Sequence, residues 1–218
     1  MPAPVQWRPA AGSSEFVLVA SPAVTEHDDL RLCPLPDEVT SLLAELAAPP
    51  RLVAHLRLVH DVAVRLTDRL AASCPGLSFD RAAVLFGAAT HDIGKAVHRA
   101  ELSAPGSAHE PAGRELLLAA GVAPRLARFA AGHATWGPDT GVEDLLVSLA
   151  DKVWKNKRLP ELEDLLVTAL VRAGGGERWE AFLALDELLT EIGDGAEQRL
   201  AYQSLFPASV SAAGSMPA

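Results

Sequence analysis

From Asp37 onward the apolar positions recur at helical spacing. Over residues 51–73 they fall at 52, 56, 59, 63, 66 and 70, steps of three and four that draw one stripe down one helix face. Before it, Asp37 or Thr40 is placed to cap LLAELAA, and Pro49-Pro50 ends that segment. Cys74-Pro75-Gly76 breaks the long helix, Asp80 caps residues 81–90, and Gly94 marks a stop soon after. Further helical patterns cover residues 108–120, 122–132, 142–157, 160–172, 177–192 and 195–205, separated by glycine or proline breaks. The periodicity predicts an all-α domain of about eight helices over residues 37–206. Residues 1–36 differ. Prolines stand at 2, 4, 9, 22, 34 and 36, and EFVLVA (residues 15–20) is strand-like, so a small N-terminal arm with one short strand is expected. Residues 207–218, PASVSAAGSMPA, read as a disordered tail.

Composition narrows the function. Hydrophobic residues make up 49% of the 218, enough for one well-cored domain. The net charge of −9 argues against a surface that tracks nucleic-acid phosphates. It leaves room for a small anionic ligand held by a few local cations. Two cysteines, Cys33 and Cys74, are too few for a disulfide scaffold or a thiolate metal site. The first residues show no basic region followed by an apolar run, and no apolar stretch approaches the ~18 residues of a membrane span. A soluble cytoplasmic protein is expected.

Candidate chemistry begins at HDIGK, residues 91–95. His91 and Asp92 end a helix whose Gly87, Ala88 and Ala89 let neighbouring helices come close. Imidazole and carboxylate together suit zinc, iron, manganese or cobalt, and a carboxylate is able to bridge two metals. Alone, the dipeptide reads equally as a helix-end ion pair. His60 lies on the flank of the apolar stripe and points inward, as a ligand or as a core histidine. His55, five residues earlier and roughly 140° around the helix, reads as a flank or surface residue. His109 opens a helix in HEPAG, and His133 closes one beside Gly132. Asp151 interrupts the apolar run LLVSLADKVW, where an aspartate is costly unless paired or metal-bound. Lys155, four residues on, is its alternative partner. The set His60, His91-Asp92, His109, His133, Asp151 draws each ligand from a different helix, as helical bundles build metal sites.

His60, HDIGK and the aspartate of SLADKVW resemble the HD-domain superfamily of metal-dependent phosphohydrolases over residues 50 to 160. His109 and His133 match the subgroup with two metals. The resemblance implies an HD-domain helical bundle and two divalent metal ions (iron, manganese, cobalt or zinc). It implies that one metal takes His60, His91, Asp92 and Asp151. The second takes His109, His133 and the shared Asp92. The similar cyclic-dinucleotide phosphodiesterases carry adjacent histidines and a GYP signature. Here Gly132-His133 stands without GYP, which points away from that substrate. The expected reaction is attack of metal-activated water on a phosphate ester or anhydride of a small phosphorylated molecule, a nucleotide foremost. The superfamily's mixed-valent di-iron oxygenases share the ligand order and form the alternative.

Lys95, four residues after His91, is placed to neutralise a phosphate oxygen. From Asp151, positions +4 and +7 lie on the same helix face. Lys155 and Arg158 are therefore expected at the mouth of the site, although KVWKNKR reads equally as a basic surface. Arg114 is a weaker candidate, and Trp136 either stacks on a base or packs.

Overall fold

Glycine and proline punctuation divides the chain into helices in the computed structural model, which describes residues 30–208 apart from Gly175. Nine α-helices run through the described residues: α1 (Asp37–Glu45), α2 (Pro50–Ser73), α3 (Arg81–Thr90), α4 (His109–Ala119), α5 (Pro124–Gly132), α6 (Val142–Val153), α7 (Pro160–Arg172), α8 (Arg178–Asp194) and α9 (Ala196–Ser204). Two single-turn 3₁₀ helices, Ile93–Ala96 and Arg99–Leu102, lie between α3 and α4. Proline occupies the first helical position of α2, α5 and α7, where its missing N–H costs nothing. The Asp80 side chain accepts the N–H of Ala83 at the start of α3. Glu177 and Glu180 form a reciprocal capping box on α8. The fold is all-α, with no strand among the described residues. The predicted strand at 15–20 and most of the predicted tail lie outside the described residues.

α2 is the central element. It packs against α3, α6, α8 and α9, and its first half is buried on nearly every face. Two apolar clusters meet along it. Leu58, Val62 and Leu66 face Leu146 and Leu149 of α6, Leu162 and Leu166 of α7, and Leu189 of α8. Leu52 and Leu56 join Ile93, Leu117 and Ala130 on the other side. α3 contributes Ala88 to the first cluster and Ala89 to the second, so the turn that follows α3 stands where both cores adjoin.

Small residues bring the elements together. A Cβ on Gly87 would lie 2.7 Å from the Phe129 ring and 2.8 Å from Val147, which fixes α3 tightly against α5 and α6. A Cβ on Gly94 would lie 1.9 Å from the His109 carbonyl oxygen and 2.6 Å from the Gly113 nitrogen. The HDIGK turn therefore rests directly on the backbone of α4.

α6 is shorter than its pattern predicts. It ends at Val153, and Asn156 turns the chain with φ of 55°. Arg199 of α9, 2% exposed, closes this end: its Nε donates to the Trp154 carbonyl at 2.6 Å and its Nη2 to the Ile192 carbonyl at the end of α8. A guanidinium against two helix C-termini meets both the orphan carbonyls and the negative ends of the helix dipoles. Before α1, the Cys33 N–H donates to buried Asp61 at 2.9 Å and Arg57 donates to the Leu32 carbonyl, which ties the entering segment to α2.

Candidate metal centre

Five helical elements deliver side chains to one point. α2 brings His55, the end of α3 brings His91 and Asp92, the first residue of α4 is His109, the residue after α5 is His133, and α6 brings Asp151. All six are under 9% exposed. The two oxygens of Asp92 face different ways. Oδ2 lies 3.1 Å from His55 Nε2 and 3.6 Å from His91 Nε2. Oδ1 lies 3.0 Å from His109 Nε2 and 3.5 Å from His133 Nε2. Asp151 Oδ1 stands 3.4 Å from His91 Nε2 and 3.7 Å from His55 Nε2. Three overlapping groups have metal-ligand spacing: His55, His91 and Asp92; His91, His133 and Asp151; Asp92, His109 and His133.

The chemistry of these donors fits divalent metal. His91 Nδ1 donates to the Ala88 carbonyl at 2.9 Å, His133 Nδ1 to the Ala130 carbonyl at 3.2 Å, and His109 Nδ1 to Glu101 at 2.5 Å. Each Nδ1 thus holds the proton of a neutral ring, and each Nε2 turns its lone pair to the centre. His55 Nε2 and His91 Nε2 face each other at 3.3 Å. Asp92 Oδ1 and His109 Nε2, both buried, approach without the geometry of a hydrogen bond. Acceptors crowded onto acceptors call for a cation between them.

The titration behaviour has the same origin. Burial would push the Asp92 carboxyl up, but the His91 ring beside it prevails and holds it well below the usual carboxylate range. Burial also acts against Asp151, where the His91 hydrogen bond and the Lys152 charge win and lower it. Burial pushes His133 down to about 4 and lowers His55. For His91 and His109 burial is outweighed by the carboxylates they face, and both are raised.

The sequence-derived ligand set needs one correction. His60 is 5% exposed and belongs to none of the three groups; His55 takes the place expected for it. The apolar stripe by itself leaves the His55 side of α2 as a flank. That side is covered by α3 and α6, and the His55 ring meets the Trp154 ring edge at 5.1 Å. A helix apolar around most of its circumference is buried all round, and VAHLRLVHDVAV carries that signal. His91, Asp92, His109, His133 and Asp151 come together as the sequence placed them.

The cations need a second correction. A cavity of about 250 Å³ opens above the cluster, and Lys95, Lys152 and Lys155 line it. Lys95 Nζ lies 2.5 Å from Asp92 Oδ2, and Lys152 Nζ lies 2.6 Å from Asp151 Oδ2. Arg158 is elsewhere. α6 has ended, so the +7 argument lapses, and Arg158 pairs with Glu163 at 2.7 and 2.9 Å and with Asp186 at 2.7 Å. Lys152, which directly follows Asp151, is not legible in the sequence because a neighbour lies about 100° round a helix; its flexible stem curls back to the carboxylate. Arg114 is exposed and does not line the cavity, and Trp136 packs on the main core. Glu101, beside His109, was also missed. No spacing rule points to it, because it comes from a 3₁₀ turn.

Residues 52–154, just under half the chain, match the family model for the HD domain. The matched segment runs from α2 to the end of α6 and contains every member of the cluster. The match supports membership of the HD superfamily, and an HD-type helical bundle is what the fold shows. Its members are typically metal-dependent hydrolases, and the buried His/Asp cluster is compatible with that class. No curated protein and no solved structure matches the chain. No described helix is long and apolar enough to cross a membrane.

Proposed function

We propose that this protein is a dinuclear metal-dependent phosphohydrolase acting on a small phosphorylated molecule, a nucleotide foremost. One observation carries the reading: the two oxygens of Asp92 face two different pairs of imidazoles. Asp92 is the bridging carboxylate. His55, His91 and Asp151 complete one side, and His109 and His133 the other. Two divalent ions held there, of iron, manganese, cobalt or zinc, supply Lewis acidity and an activated water.

The chain's own residues do the rest. Lys95, Lys152 and Lys155 offer three ammonium groups to the oxygens of a phosphoryl group entering the cavity. They favour an anionic substrate over a neutral one, which supports hydrolysis over the oxygenase alternative. Among the described residues, no aromatic ring apart from the cluster's histidines lines the cavity. The phosphoryl end is therefore bound inside, and the remainder of the molecule lies toward solvent.

The test is elemental analysis of anaerobically purified protein, followed by phosphate release from a nucleotide panel with O₂ uptake measured in parallel. Two metals per chain and phosphate release are expected. O₂ uptake with no phosphate release from any ester would assign the centre to the oxygenase reaction.

A further inference from the structure

The start of α4 lacks a cap of its own. Ala108 stands at the N-cap and makes no side-chain hydrogen bond. Glu101 serves instead from the preceding 3₁₀ turn. Its Oε1 accepts the N–H of Ala108 at 3.1 Å, and its Oε2 accepts the N–H of His109 at 3.2 Å. The same Oε2 accepts the Nδ1–H of the His109 ring at 2.5 Å. Gly106 leaves room for it, since a Cβ there would lie 2.4 Å from Oε1. One carboxylate thus closes the loop, caps the helix and sets the His109 ring.

We infer that Glu101 is a positioning residue that makes the His109–His133 side of the centre competent to hold its metal. Among the described residues, the polar partners of the Glu101 carboxylate are Ala108 and His109, not the cavity's lysines or Asp92. It acts through His109: by accepting the Nδ1–H hydrogen bond it leaves the Nε2 lone pair facing Asp92 Oδ1, 3.0 Å away. His91 and His133 are set by backbone carbonyls of their own helices. Those carbonyls move only with the helix, whereas the hold on His109 depends on one side chain. The inference rests on the dinuclear reading.

Glu101→Gln tests it with little change of shape. A glutamine has one acceptor oxygen. If that oxygen stands in place of Oε1, it keeps the Ala108 N–H, and the amide N–H₂ meets the His109 N–H and Nδ1 and drives the ring to the other tautomer. If it stands in place of Oε2, the Ala108 N–H loses its acceptor. Mn(II) titration of the full metal-free chain, with electron paramagnetic resonance at two equivalents, separates the sites. We expect the first equivalent to bind Glu101→Gln as it binds wild type. The second should bind about 10- to 100-fold more weakly, and the coupled-pair signal should give way to that of an isolated ion. A wild-type second affinity in the variant overturns the inference. So does equal weakening of both equivalents together with a lower melting temperature of the metal-free chain, which marks a structural role alone. A wild-type chain that takes only one ion removes the dinuclear reading and this inference with it. Two ions in wild type and an unshifted variant remove this inference alone.

Discussion

At the scale of single residues, two histidines five positions apart on α2 separate the metal centre from the core. His55→Ala should lose most bound metal and all hydrolysis, because its Nε2 is 3.1 Å from Asp92. His60→Ala should keep full metal content and lose about 0.5–3 kcal/mol of stability as an ordinary buried truncation. Metal analysis and thermal melts on the same samples check the pair; metal loss from His60→Ala with retention in His55→Ala would reverse the assignment. The cations divide in the same way. On the proposed function, Lys95→Ala or Lys152→Ala should lower kcat/KM roughly 10- to 150-fold, the effect of losing a charge-assisted hydrogen bond worth about 1.5–3 kcal/mol. Arg158→Ala should leave kcat/KM near wild type and lower the melting temperature, since it strips buried Glu163 of a bidentate partner. Steady-state kinetics beside melting curves tell these apart.

At the scale of elements, the close approach of the HDIGK turn to α4 is what places Asp92 beside His109. Gly94→Ala sets a Cβ against backbone atoms that have no rotamer to change. Overpacking of this kind costs about 1–3 kcal/mol, and here it also pushes apart the bridge and one of its ligands. Lower stability and loss of one metal are expected. Gly132→Ala, where a Cβ meets nothing within 4 Å, should be neutral or slightly stabilising; equal loss in both variants would deny the contact its role. The elements themselves were largely legible in the sequence, because caps, prolines and glycines mark where each helix starts and stops. Five of the six clustered residues were legible too, since a polar side chain in an apolar run has few tolerable positions. What was not legible depends on partners distant in sequence. His55 is buried by α3 and α6, α6 stops early at a left-handed Asn156, and Glu101 reaches across a loop to His109. A helical stripe records the face a helix prefers to bury, not how many neighbours cover it.

At the scale of the whole molecule, the centre ties α2, α3, α4, α5 and α6 together. Metal should therefore stabilise the entire bundle. A ligand at 100 times its dissociation constant adds about 2.7 kcal/mol, which for a chain of this size raises the melting temperature by roughly 5–11 °C. Adding a chelator should reverse the shift in calorimetry, and an unchanged melting temperature would show that the cluster binds no metal in the native state. The last helix adds an element of time. Every clustered residue has been synthesised by Asp151, but Arg199, which closes the end of α6 at Trp154 and so backs the His55 ring, follows roughly 2–10 s later at ribosomal speeds. A nascent chain therefore carries every clustered residue before it carries the one that braces Trp154 behind the His55 ring. On the proposed function, a chain stopped short of α9 should bind metal more weakly than the full chain, and metal titration of the two checks this.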